Sequence, residues 1–196
     1  FSSALGLGSS GECTDCPEGS FCSTGSLTHT LCSPGTVQPA GGQSTCAKCD
    51  AGKFMNESGK TACFECVAGS FCEVGASAPL PCKEGTFSST LGRGSSIQCT
   101  ACPEGSFCST GALTHKQCSG GTVQPDTGQG TCTSCDAGKY QEEPGQTACD
   151  ECTVGGFCVE GAPTVALCAK GSFGNASGLA DQAGCHACPP GSMCLA

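Results

Sequence analysis

Large apolar side chains stand singly along this chain, and many follow a glycine by two positions. The recurring string is Cys-x-x-Gly-x-Φ, where Φ is apolar or aromatic. It occurs eleven times, starting at Cys16, Cys32, Cys49, Cys66, Cys82, Cys102, Cys118, Cys135, Cys152, Cys168 and Cys188. Successive starts lie 16, 17, 17, 16 and 20 residues apart, and the series then repeats. A glycine at a fixed place suits a tight turn that needs positive φ, which puts Gly19, Gly35, Gly52, Gly69 and Gly85 at turns. The residues Phe21, Val37, Phe54, Phe71 and Phe87 then fall on short extended pieces, where each is expected to be buried over one disulfide. No stretch keeps a 3.6-residue apolar period, and Gly, Pro, Ser and Thr recur every few positions, so almost no helix is expected. The pattern predicts a small disulfide-rich fold, an elongated tandem array of short β-hairpin or irregular units, each too small to be stable without staples and neighbours.

A larger period encloses the small one. Residues 13–98 align without a gap on residues 99–184 at an offset of 86, with ten cysteines in register and 47 of 86 positions identical. The chain reads as the tail of a preceding repeat (1–12), a first repeat (13–98), a second (99–184) and the start of a third (185–196). The array is therefore expected to continue in both directions.

Composition changes the picture in one respect. Leu, Ile, Val and Phe number only 27 of 196 residues, below the roughly 20% at which an uncross-linked chain reads as disordered. Cysteine reverses this, because 23 are present and a disulfide closing a loop of about 15 residues contributes about 3 kcal/mol by loop-closure entropy. Such bonds persist in oxidising surroundings, so an extracellular or cell-surface location is expected. The net charge of −9 comes from 17 acidic residues scattered among 8 basic ones. No basic stripe exists for phosphate neutralisation, which argues against nucleic acid as a partner. No run of about 18 apolar residues is present, so no membrane span is expected in this segment.

Spacing suggests a sequential pairing: Cys16–Cys22, Cys32–Cys46, Cys49–Cys63, Cys66–Cys72 and Cys82–Cys99, then Cys102–Cys108, Cys118–Cys132, Cys135–Cys149, Cys152–Cys158, Cys168–Cys185 and Cys188–Cys194. Cys13 is left over, and the register puts its expected partner four positions before Phe1. Connectivity does not follow from spacing alone.

The segments CTDCPEGSFC, CDAGKFMNESGKTACFEC and CKEGTFSSTLGRGSSIQCTAC resemble the ephrin-receptor-like cysteine-rich repeats, and the likeness extends over essentially the whole chain. The resemblance implies an extracellular structural module without catalysis. The chain departs from the simple family pattern by an extra cysteine after Phe21, Phe71, Phe107 and Phe157, and by lacking Pro after Cys49, Cys66, Cys135 and Cys152. A related pattern, that of tumour-necrosis-factor-receptor-like modules, implies a crossed alternative in which Cys13 pairs with Cys22 and Cys16 with Cys32. That alternative forces Cys46 and Cys49 to pair within one CxxC, so it ranks second but stays open.

Other constellations are weaker. Cys13/Cys16 with Cys46/Cys49 have zinc-like spacing, but the oxidising compartment favours disulfides, and no metal or cofactor is expected. His29, His115 and His186 fall at no ligand spacing and are expected to be solvated. The scattered acids Glu18, Asp50, Glu57 and Glu65 do not form a calcium loop. Gly6–Gly11 matches GxGxxG without the strand and helix that motif needs, and Gly59-Lys60-Thr61 lacks the first glycine of a P-loop. The only two asparagines, Asn56 and Asn175, both lie in Asn-x-Ser acceptors, so attached glycan is expected at each. The function expected is a structural component of an extracellular filament, surface coat or stalk, with self-association or other extracellular structural proteins as partners. Exposed Phe64, Leu91 or Leu179 would serve such lateral contacts. The alternative is a spacer or ligand-binding ectodomain region of a cell-surface receptor or adhesin. An enzyme is not expected, since no nucleophile, base and orienting group recur together.

Overall fold

Each Cys-x-x-Gly segment from Cys16 to Cys168 makes a turn, and the residues after its glycine form a two-residue strand. In the computed structural model, which describes residues 1–2, 9, 11, 13–192 and 194, twenty such strands form ten two-stranded sheets. β1 (Ser20–Phe21) pairs antiparallel with β2 (Thr30–Leu31), β3 (Thr36–Val37) with β4 (Ala47–Lys48), β5 (Lys53–Phe54) with β6 (Phe64–Glu65), and β7 (Ser70–Phe71) with β8 (Leu80–Pro81). The same series returns from β11 (Ser106–Phe107) to β18 (Ala166–Leu167). Short 3-10 turns lie at Ser96–Gln98 and Gln182–Gly184. They sit 86 residues apart, in the hairpins with the 20-residue spacing, and take up the extra length there. This is the small, disulfide-rich, strand-based fold expected, with almost no helix. Most of residues 1–12, including most of the Gly6–Gly11 decoy, lies outside the described residues.

Contacts group the chain into two compact units, one of Phe1–Cys82 with Ser88–Thr100 and one of Lys83–Phe87 with Ala101–Ala196. Inside each unit consecutive hairpins are joined by backbone hydrogen bonds in a fixed scheme. For the hairpins starting at Cys32 and Cys49, Gly35 N–H donates to Met55 O (2.7 Å), Gln38 N–H to Lys60 O (3.1 Å), and Gly59 N–H returns to Cys32 O (2.9 Å). The counterpart in the second unit is Gly121 to Gln141 (2.7 Å), Gln124 to Gln146 (3.1 Å) and Gly145 to Cys118 (2.8 Å).

Glycine makes the close approach between hairpins two steps apart. A Cβ placed on Gly19 would lie 2.1 Å from the Gly59 carbonyl oxygen, and one on Gly105 would lie 1.9 Å from that of Gly145. Both members of each pair also have positive φ, 72° and 74° for Gly19 and Gly59, and 68° and 76° for Gly105 and Gly145. The turn glycines are thus required twice over, by backbone conformation and by a neighbour two hairpins along.

The core consists chiefly of sulfur. Cys32, Cys49, Cys66, Cys82, Cys102, Cys118, Cys135 and Cys152, each the first cysteine of its hairpin, are almost wholly buried. The expectation that the Φ residue is the buried one needs correcting. Phe21, Phe54, Phe71 and Phe87 are only half-buried, and among the described residues at that position Val37 and Val123 alone are buried. Burial shifts to the following residue: Gln38, Met55, Cys72, Ser88, Cys108, Gln124, Gln141 and Cys158 are all buried. Side chains alternate between faces of an extended strand, so the residue after Φ points inward beneath the hairpin. The Φ ring meanwhile lies against the partner strand, as Phe54 does against Phe64 with centroids 6.0 Å apart.

Candidate functional site

The repeating feature is a slot under each hairpin, closed by one of two kinds of staple. Where the residue after Φ is Cys, it bonds the first cysteine of its own hairpin across a separation of six: Cys16–Cys22, Cys66–Cys72, Cys102–Cys108, Cys152–Cys158 and Cys188–Cys194. Elsewhere the first cysteine reaches the cysteine before the second strand, across 14 residues in Cys32–Cys46, Cys49–Cys63, Cys118–Cys132 and Cys135–Cys149. The separation is 17 in Cys82–Cys99 and Cys168–Cys185. The long staples span both strands of a hairpin, the six-residue staples enclose only the turn and first strand, and none of the eleven joins one hairpin to the next. In every CxxC after Cys13/Cys16 the two members belong to different staples, as Cys46 and Cys49 do. Cys13 is exposed and has no disulfide.

In the long-staple hairpins the slot must be filled by something else, and three times it is a glutamine. Gln38 Nε2 donates to Thr45 O (2.6 Å) and its Oε1 accepts from Ala40 N–H (3.3 Å). Gln124 does the same with Thr131 O (2.7 Å) and Asp126 N–H (3.1 Å), and Gln141 with Ala148 O (2.9 Å) and Glu143 N–H (3.0 Å). Each amide thus ties the loop that follows the first strand to the approach of the second. Both ends of the buried group are satisfied, as burial of an amide demands. Met55 fills the slot apolarly and packs with Val37 and Cys49. Sequence reading missed these glutamines, although Gln at the sixth position after Cys32, Cys118 and Cys135 is a visible signal.

The remaining candidates are dispersed. His29, His115 and His186 are exposed, and each lies edge-on or tilted against a phenylalanine: Phe1 at 5.7 Å, Phe87 at 5.7 Å and Phe173 at 6.1 Å between centroids. Among the described residues no three His, Cys, Asp or Glu side chains gather as a metal site, and no helix is long and apolar enough to cross a membrane. Phe64 and Leu91 are exposed at 54% and 53%, but Leu179 is half-buried against the Gly174 and Gly184 backbone and drops out as a lateral contact. Asn56 and Asn175 are exposed. Shallow depressions lie on the second unit, one of them lined by Phe107, Lys116, Gln117 and Thr122.

No curated protein matches the chain. Residues 121–165, which run from the turn glycine of one hairpin through the staples Cys135–Cys149 and Cys152–Cys158, match a family described as tyrosine-protein kinase ephrin type A/B receptor-like. That match points to an extracellular, receptor-type ectodomain region. Together with the staples repeating at one spacing, it shows that the chain carries a cysteine-rich repeat of the ephrin-receptor-like kind.

Proposed function

We propose that this chain is a structural segment of an extracellular filament, surface coat or stalk, whose work is to hold a fixed spacing. The observation that supports it is the constancy of the step. From Cys16 to Cys66, and again from Cys102 to Cys152, each hairpin is tied to the next by the same three backbone hydrogen bonds, with no inserted loop. A spacing element needs equal steps, whereas a recognition site usually distinguishes one loop from the rest. A second reading, a spacer in a receptor or adhesin ectodomain, is favoured by the family match over residues 121–165.

Small-angle scattering with sedimentation on the secreted, oxidised chain tests both readings. A globule of this length would have a radius of gyration of about 16 Å; the proposal requires a clearly larger value, and a value near 16 Å would end both readings. Association that grows with concentration supports the filament or coat. A monomer at every concentration supports the spacer.

A further inference from the structure

Asn56 and Asn175 are the only asparagines in the chain, and both are followed two positions on by serine, Ser58 and Ser177. Ser and Thr make up about a fifth of the chain, so two unrelated asparagines would both be acceptors roughly one time in twenty. The structure adds something the motif does not contain. Asn56 is the seventh residue after Cys49 and Asn175 the seventh after Cys168, so both occupy the same place in their hairpins. That place is the loop leaving the first strand, β5 (Lys53–Phe54) in one case and β19 (Ser172–Phe173) in the other.

In both loops the acceptor triplet is held outward by its flanks. Residues 56–58 and 175–177 are exposed throughout, while the preceding residues Met55 and Gly174 are buried. The loop closes on a positive-φ glycine, Gly59 or Gly178, whose N–H is bonded to Cys32 O (2.9 Å) or Cys152 O (2.8 Å) of the hairpin before. Neither asparagine side chain makes a hydrogen bond in the structure, so its carboxamide is available without breaking a contact. One such loop lies in each compact unit.

We propose that Asn56 and Asn175 are N-glycosylation sites, placed at one equivalent loop so that glycan projects from the same point of the hairpin in each unit. The co-substrate is a lipid-pyrophosphate-linked oligosaccharide. The carboxamide nitrogen forms a bond to the anomeric carbon, the bond from that carbon to the pyrophosphate oxygen breaks, the lipid pyrophosphate leaves, and the amide loses one proton to the transferring enzyme's base. No redox change occurs. The proposal rests on the extracellular part of the functional reading, since transfer takes place in the secretory lumen.

The test is to secrete the whole chain from a eukaryotic cell and map its tryptic peptides before and after peptide N-glycosidase in heavy-oxygen water. Cleavage after Lys53 and Lys60 isolates Asn56 in a cysteine-free peptide, and cleavage after Lys170 isolates Asn175. Both peptides should carry hexose and N-acetylhexosamine mass and convert to labelled Asp on enzyme treatment. Ser58→Ala should abolish the first modification while leaving Asn56 in place. The double change Glu142→Asn with Pro144→Ser builds an acceptor at the seventh position after Cys135, in a loop that is likewise exposed, and should gain a third glycan. Secreted, disulfide-bonded protein with both asparagines bare would overturn the proposal alone. A chain that stays inside the cell with reduced cysteines would overturn the extracellular reading, and this one with it.

Discussion

Three glycines at comparable φ separate the cost of backbone conformation from the cost of a close approach. Gly19, Gly59 and Gly25 have φ of 72°, 74° and 77°. A Cβ on Gly25 would meet nothing within 4 Å; on Gly59 it would meet Leu31 Cδ2 at 3.1 Å; on Gly19 it would meet the Gly59 carbonyl oxygen at 2.1 Å. An alanine forced into the left-handed region costs about 1–2 kcal/mol, and that is all Gly25→Ala should lose. Gly59→Ala should cost only slightly more, because Leu31 is exposed and can swing aside. Gly19→Ala must push hairpins apart, since a carbonyl cannot be moved without its peptide plane. Separation would release the Gly19 N–H to Gln38 O bond (2.8 Å) and the Gly59 N–H to Cys32 O bond (2.9 Å). At about 1 kcal/mol each, the total reaches about 3–4 kcal/mol.

Amide hydrogen exchange with the disulfides intact resolves the difference locally. The extra 2 kcal/mol or so in Gly19→Ala should speed exchange of the Gly59 amide about thirtyfold over its rate in Gly25→Ala. Equal exchange in the two variants would refute the claim that a glycine-to-glycine contact sets the distance between alternate hairpins.

The other staples and slots are as open to measurement. Replacing Cys49 and Cys63 together by Ser opens a 14-residue separation and should cost about 3 kcal/mol in denaturant unfolding, against about 2.4 kcal/mol for Cys66 with Cys72 at a separation of six. Gln124→Met keeps the slot filled but strips the bonds to Thr131 O and Asp126 N–H; calorimetry should show a loss of about 1–3 kcal/mol, and an unchanged melting curve would mean that the amide only fills space. Under single-molecule stretching, reduction should lengthen each 86-residue repeat by about 17 nm, because its staples enclose 6, 14, 14, 6 and 17 residue steps at about 3.5 Å per step, less the staples' own span. Phe64→Ser should reduce any concentration-dependent association seen by sedimentation, and no change would remove that side chain from the contact surface.

How far the fold could be read from the sequence follows from which residues have substitutes. A turn at positive φ against a carbonyl admits only glycine, so Gly19 or Gly121 announces itself by its spacing from the cysteine. The inward slot admits several solutions: a second cysteine at Cys72, an amide at Gln124, a thioether at Met55 and a hydroxyl at Ser88 all fill it. A position with four chemistries leaves no single-residue pattern, and the eye falls on the aromatic beside it, which is only half-buried. The loop glycines were visible too, but their contact lies forty residues away between Gly19 and Gly59, and a contact made by the absence of a side chain leaves no hydrophobic trace. The same logic divides the labour of cohesion. Disulfides act within a hairpin, where sequence neighbours can find each other early. Between hairpins, cohesion falls to backbone groups that every residue carries, which is why hairpins as different in composition as those starting at Cys66 and Cys152 stack in the same way.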